Sequence, residues 1–522
     1  MISKITQYYN TIKYLKFRQI IYQVYRRIRP VSNGKNQILI SDCKKIVLDF
    51  YNHKYYDIRN NDIFIFGKKV FDFEKKIQLF PEDYMYRFSF NYYEFLLSDN
   101  IDTKVRNYFI RNLENAYEND KYFLHPYTCS KRIIVLLCLL SKQNCDEEIQ
   151  AIIRKQLSVD LSFLTKNIEY HIDANHLLTN YLALALGYNF TSHPRLEKYV
   201  ELYKREFMQQ FASGAHYERS YSYANQLLYE FTLFHQSVGS RNIDGAFDLF
   251  MDALDVLRLK KLTYCTRFGD NVDEQCCDID WLQSYALRYV KTNDLNNSAN
   301  SFVQTSDDYV CFLGDKVSIA IDAGGPAPSF QPGHAHDSTG AILVSLQGDE
   351  FLTCSHTSTY ANTDQRLLER SRHSYSAPLS CGQAQKVWSA FRVAKRTQPE
   401  VRVLNAFEVE LHIEGTNQSV CRSVKILDDY SMSFQIVDRF KPHVDRYISQ
   451  YLIHESITAG HTECGIEFLS SSFGKISLTV DSDVEIACSQ VSIGQSYGHT
   501  KNVSCVTLKS NSSIIKTEWT KV

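Results

Sequence analysis

The chain has 522 residues, 44% hydrophobic and 22% charged, with a formal net charge of -1 at pH 7. That length exceeds one hydrophobic core and predicts two or three domains. The balanced charge argues against a nucleic-acid partner held by bulk electrostatics, and no apolar run reaches the roughly 18 residues of a membrane-spanning helix.

Residues 1–74 read as a basic helical or irregular segment. Residues 1–41 hold no Asp or Glu but eight cations: Lys4, Lys13, Lys16, Arg18, Arg26, Arg27, Arg29 and Lys35. Ile5, Tyr8, Ile12, Leu15, Ile20, Val24 and Ile28 recur among them at near-helical spacing. Such a helix ordinarily docks on its domain with the basic face in water. The other outcome is peripheral contact with an anionic membrane surface. Met1–Asn10 lacks the continuous apolar core of a secretory signal, and the 14 cysteines include no Cys-x-x-Cys pair. Both predict a reduced, cytoplasmic protein, at the inner face of the membrane if the basic segment binds lipid.

Residues 75–295 are poor in Pro and Gly, with Leu, Ile and Tyr at three- and four-residue spacing. Helix-length segments alternate with short polar breaks such as Thr191-Ser192-His193-Pro194. Repeated helix pairs of this kind form a bundle or a toroid, and periodicity does not choose between them. Thr292–Ser301 is the predicted linker. From residue 302 to 522 the texture changes to short alternating runs, among them Val317–Ile321, Ser431–Val437, Lys475–Val480 and Val503–Leu508. These read as strands of an antiparallel sandwich.

Four stretches carry candidate chemistry. Asp173-Ala174-Asn175-His176 places an amide and an imidazole at the head of an apolar helix, where Asn is also a common cap. Gly214–Tyr223 gathers three tyrosines, His216, Glu218 and Arg219; a Tyr beside a His or Arg can serve as acid or base, and the same residues suit an aromatic seam between helices. Pro332-Gly333-His334-Ala335-His336-Asp337 holds two histidines two apart, which face one site if the backbone is extended and two sites if it is not. Arg366–His373 is the fourth; His336, Cys354 and His373 are suitable zinc ligands in type, but their separations do not make a local zinc motif.

Together these segments resemble the heparinase II/III family of polysaccharide lyases. The resemblance runs through His125–Arg132, Asn175–Leu178, His216–Ser220 with Tyr223, Phe268-Gly269-Asp270, Gly333–Asp337 and Arg370–His373, in the family's order. It implies an incomplete (α/α) toroid followed by an antiparallel β-sandwich, an α+β multidomain fold with the active site between the halves. It also implies β-elimination on a uronic-acid-containing glycan, with an acidic polysaccharide or oligosaccharide as substrate. By that resemblance Asn175 neutralises the carboxylate with help from His176. Tyr223 is the acid, and the base for one C5 epimer; His334 is the base for the other or assists Tyr223. Arg132 and Tyr360 are expected substrate contacts.

The resemblance further implies one structural zinc, on His336, Cys354 and His373, and no organic cofactor. Cys354 departs from the family's Asp at the middle position. A thiolate would keep the site; its presence could equally mark an empty one. Ser355-His356-Thr357 and Ser374-Tyr375 depart from the family pattern as well. Those departures motivate the alternative function, a non-catalytic glycan-binding or polysaccharide-assembly protein. A hydrolase would need two facing carboxylates, for which Glu218 and Asp337 are the candidates.

Overall fold

The computed structural model describes residues 2–29, 47–142, 146–239, 243–289, 300–441, 446–462 and 465–522. Residues 292–299 of the predicted linker lie outside the described residues. The chain opens with α1 (Ile2–Ile12) and α2 (Phe17–Ile28). Residues 56–78, most of them expected to be helical or irregular, instead contain a four-stranded antiparallel sheet: Tyr56–Arg59, Asp62–Ile65, Lys68–Asp72 and Ile77–Gln78. Its inward residues, such as Ile63 and Ile65, alternate over only four positions, too short a run to stand out among the surrounding lysines and aromatics.

The helical half then follows with α3 (Tyr84–Asn91), α4 (Thr103–Arg111), α5 (Leu113–Asn119), α6 (Pro126–Ser141), α7 (Glu147–Lys166), α8 (Ala174–Phe190), α9 (Leu196–Gln210), α10 (Tyr221–Val238), α11 (Asp244–Leu262) and α12 (Ile279–Ala286). Helix α8 packs against α6 on one side and α10 on the other, while α7, α9 and α11 back this inner row. Burial follows from that placement. In α8, 15 of 17 residues are buried; in α9, 5 of 15 are. An inner helix meets protein on every side and is apolar all round, whereas an outer one keeps a single stripe. At Gly187 in α8 an added Cβ would sit 2.3 Å from Leu161 Cδ2 of α7, so these helices close together only over a glycine. The double row is the incomplete (α/α) toroid.

Beyond residue 300 the chain is almost wholly antiparallel β. One eight-stranded sheet has the spatial order Glu400–Asn405, Glu408–Glu414, Ser419–Asp428, Ser433–Lys441, Ile514–Lys521, Gly474–Val480, Gly465–Ser470, Thr458–Thr462. The other runs Val484–Ser496, His499–Ser510, Tyr447–Ile453, Asp349–Leu352, Ile342–Leu346, Val317–Asp322, Tyr309–Leu313, Phe302–Gln304. Successive strand residues face opposite ways. Val310, Phe312, Ile319 and Ile321 enter the core between the sheets, with Trp519. Tyr309, Cys311 and Ala320 point the other way, onto Cys265 and Phe268 of the helical half. Along Tyr309–Leu313, Val317–Asp322 and Ile342–Leu346 this sheet is therefore buried on both faces. A short helix, α13 (Asp364–Glu369), lies in the loop region that follows Asp349–Leu352.

Arg219, just before α10, spans the junction. Its Nε donates to the Asp307 carbonyl and its Nη1 to the Gly325 carbonyl, each at 2.7 Å, and Nη2 reaches Asp322 Oδ1 at 2.5 Å. The guanidinium lies 4.4 Å from the Tyr309 ring centroid, and Lys260 pairs with Asp307 at 2.7 Å. A planar fork of donors suits such a set of fixed acceptors.

Candidate active site

A cleft of about 340 Å³ is lined from the helical half by Asn175, His176 and Tyr223 and from the β half by His334, Tyr360 and Phe391. Asn175 sits in the first turn of α8. The helix cap is Asp173, whose carboxylate accepts from the Ala174 amide at 2.9 Å; Asn175 Oδ1 accepts from the His176 backbone amide at 2.8 Å, which leaves Nδ2 as the donor of that side chain. The chain enters the helix with φ of 71° at Asp173 and 53° at Ala174, a left-handed region that L residues seldom adopt. Helix α2 pins this turn from outside: Arg18 and Lys16 reach Asp173 Oδ2 at 2.9 and 3.3 Å, and the Gln19 amide donates to the Ile172 carbonyl at 3.1 Å.

His176 Nδ1 lies 3.2 Å from Glu169 Oε1, and its ring packs on Tyr127 with centroids 4.4 Å apart. Burial opposes a charged ring there, but Glu169 outweighs it and raises the imidazole's pKa. In turn, burial would raise Glu169, yet His176 and His125 bring it down to about 2. The pair places an imidazole biased towards its cationic form beside Asn175.

Tyr223 enters the cleft from the start of α10, where the Ser220 hydroxyl accepts from the Tyr223 amide at 3.3 Å. Its ring stacks on His334, centroids 3.9 Å apart and planes at 30°, and its hydroxyl donates to Tyr360 Oη at 3.2 Å. Burial first, then Asp270, pushes the phenol well above the ordinary tyrosine range, so it is held protonated. Tyr360 is fixed from below: Asp83, at the head of α3, accepts from the Tyr360 amide and from Thr359 Oγ1 and Tyr497 Oη, at 3.3, 2.6 and 2.7 Å.

His334 and His336 lie in irregular backbone, yet both rings meet one residue, Asp270. His334 Nδ1 is 2.9 Å from Asp270 Oδ2 and His336 Nε2 is 2.7 Å from Oδ1. Arg366, from α13, spans both oxygens at 2.6 and 2.8 Å. Burial would raise the Asp270 carboxyl, but Arg366 and the two imidazoles hold it far below the usual carboxylate range. An ionised Asp270 only accepts, so His334 donates through Nδ1 and its Nε2 carries the lone pair. Glu218 Oε2 lies 3.8 Å from that nitrogen. Among the described residues, no hydrogen bond of ordinary geometry reaches either Glu218 oxygen. Burial raises the Glu218 carboxyl, and His334, His176 and the nearby Asn175 backbone N–H pull against it.

Two expectations are corrected. Arg132 is fully buried and engaged elsewhere: its Nε and Nη2 bind Asp160 at 2.9 and 2.7 Å, and Nη1 donates to the Phe123 carbonyl at 3.0 Å. It does not line the cleft and is a core anchor of α6 on α7. His336, Cys354 and His373 do not converge on a metal. Both His336 nitrogens are occupied, Nε2 by Asp270 and Nδ1 by the Tyr375 hydroxyl at 2.5 Å. The Cys354 thiol donates to the Arg267 carbonyl at 3.5 Å, and burial pushes it away from thiolate. His373 is exposed. These residues do not fit a zinc ion. Among the described residues one other trio has metal-ligand spacing, Glu410, His412 and Cys421, with ligand atoms within 4.8 Å of one another; it lies on neighbouring strands of the first sheet and not in the cleft.

Asp270, Arg366 and Glu169 were given no role from the sequence, and Glu218 only that of a hydrolase carboxylate. Asp270 and Arg366 sit inside recognised segments, but nothing in their spacing, 96 residues apart, announces a pair.

Residues 299–518 match the family model "Heparinase II/III-like, C-terminal". No curated protein matches the chain. Among solved structures, heparinase III aligns over 96% of this chain and 88% of its own, with 13% identity and a TM-score of 0.68. A heparan sulfate lyase mutant from Pedobacter heparinus aligns over 96% and 87%, with 14% identity and a TM-score of 0.59. At such identities the likeness establishes the fold. Residues 299–518 thus resemble the C-terminal domain of the heparinase II/III family, and the chain as a whole shares the fold of heparinase III.

Proposed function

We propose that the protein is a polysaccharide lyase that cleaves a uronic-acid-containing glycan by β-elimination. The observation that carries this reading is the stack of Tyr223 on His334 across the cleft from Asn175 and His176. The C5 proton of a uronate is hard to remove, because the neighbouring carboxylate opposes further negative charge. The Asn175 amide and a cationic His176 supply donors for that carboxylate. His334, oriented by Asp270, takes the C5 proton on Nε2. The C5–H electrons form the C4=C5 double bond, the C4–O4 bond breaks, and the Tyr223 phenol gives its proton to the departing O4. Base and acid return to their starting forms by exchange with water. Tyr360, hydrogen-bonded to Tyr223, is a substrate contact at the same wall. Free cysteines, 11 among the described residues, support a reduced compartment such as the cytoplasm.

The test is ultraviolet absorbance of the unsaturated product on a panel of uronate glycans, beside Tyr223→Phe. A rise lowered about 10²- to 10⁴-fold in the variant is expected for a lost general acid. No rise on any uronate glycan with folded protein would overturn the lyase; retained glycan binding would then mark a binding protein.

A further inference from the structure

Helix α2 is docked the wrong way round for a soluble helix. Gln19, 0% exposed, and the part-buried Arg18, Tyr22 and Arg26 face the protein. Each makes a specific contact: Arg18 with Asp173, Gln19 with the Ile172 carbonyl, Tyr22 on the Tyr170 ring, and Arg26 with the Asn167 carbonyl at 2.7 Å. The opposite face carries Phe17, Ile20, Ile21, Val24 and Ile28, at one-, three- and four-residue steps, with Phe17 78% and Ile28 79% exposed. Helix α1 continues the patch with exposed Ile5, Tyr9 and Ile12. Of the 27 large hydrophobic side chains exposed among the described residues, ten lie between Ile5 and Ile28. An amphipathic helix in water normally turns its apolar stripe inward, and an apolar patch of this extent marks a docking surface.

Charge identifies the occupant. No Asp or Glu occurs before residue 42, and Lys4, Lys13, Arg27 and Arg29 are exposed around the apolar face. Beside α2 a groove of about 710 Å³ adds Arg26, Lys166, Arg195 and Lys198, with no carboxylate among the described residues of its lining. Apolar side chains ringed by cations on two short in-plane helices fit the boundary between headgroups and acyl chains of an anionic bilayer. A second copy of the chain would bring its own cations against these. No described helix is long and apolar enough to cross a membrane, so the contact is peripheral.

We infer that α1 and α2 form an anionic-lipid docking surface whose inner face holds the turn presenting Asn175. The cleft then lies close to the membrane: α2 touches Ile172, and α1 reaches Trp388 through Tyr8 and Thr11.

The test is co-sedimentation of the full chain with vesicles of phosphatidylcholine alone and with about equal parts phosphatidylglycerol. Deleting α1 and α2 would disturb Asp173, so the variant is Ile20→Asp with Val24→Asp and Ile28→Asp, all on the exposed face. Expected is binding to the anionic vesicles alone, weakened by salt and reduced about tenfold or more in the triple variant, with unchanged thermal melting. Wild-type protein that stays in the supernatant overturns the inference. So does sedimentation equilibrium showing a dimer that the triple variant dissociates without any vesicle binding.

Discussion

Replacing Asp270 with Asn tests the core of the proposed mechanism. The amide keeps one acceptor oxygen but presents an NH2 to a site where Arg366, His334 and His336 all point donors at 2.6–2.9 Å. His334 loses the acceptor that fixes its tautomer. In hydrolase triads the same exchange lowers kcat about 10⁴-fold. Here the Tyr223 ring still orients His334 at 3.9 Å, so a smaller loss of about 10²- to 10³-fold is expected, or roughly 3–4 kcal/mol of barrier. Stability also falls, because Arg366 is fully buried; breaking such a pair costs about 3–5 kcal/mol, and the retained carbonyl places this case near the lower end. The assay is a double-mutant cycle on product absorbance, with Asp270→Asn in wild-type and His334→Ala backgrounds, each variant checked by urea unfolding. If Asp270 acts through His334, its loss in the His334→Ala background changes the rate by less than about threefold. A folded Asp270→Asn enzyme within about threefold of wild type, or fully additive effects, would refute the assignment.

Dialysis against a chelator is expected to leave activity and melting unchanged, with no zinc found by elemental analysis of the purified protein, since both His336 nitrogens are already bonded. Gly187→Ala should lower stability by about 1–3 kcal/mol through overpacking against Leu161, read as a reduced urea midpoint. His53 and His336 are buried with pKa values lowered by burial to about 4. Their folded values lie below the unfolded value of about 6.5, so their contribution is complete above that pH and is lost as pH falls towards 4, at about 1.4 kcal/mol per pH unit for each. Urea midpoints measured between about pH 7 and pH 5 should fall accordingly, and less steeply in His336→Gln.

The change from three- and four-residue to two-residue periodicity was enough to tell a helical half from a β half, while the toroid came only from the resemblance. The small sheet at 56–78 escaped notice because its strands run only two to five residues. Asn175, Tyr223, His334, His176 and Tyr360, picked out through a resemblance spread over many segments, line one cleft. Arg132 was misread because a buried and a solvent-facing arginine look alike in sequence; Asp160, 28 residues on, gave no sign of pairing with it. Likewise the ligand types at His336, Cys354 and His373 were legible, but not that Asp270 and Tyr375 already occupy His336.

The Arg219 junction bears on heredity as well as on architecture. A β half made alone would carry an acceptor-lined socket, three carbonyls and the Asp322 carboxylate, with no cation to fill it. A helical half made alone would carry the matching guanidinium with nothing to receive it. Neither piece is a transferable module. Exchanging one half of this chain for that of a relative should therefore succeed only when the arginine and its socket travel as a pair.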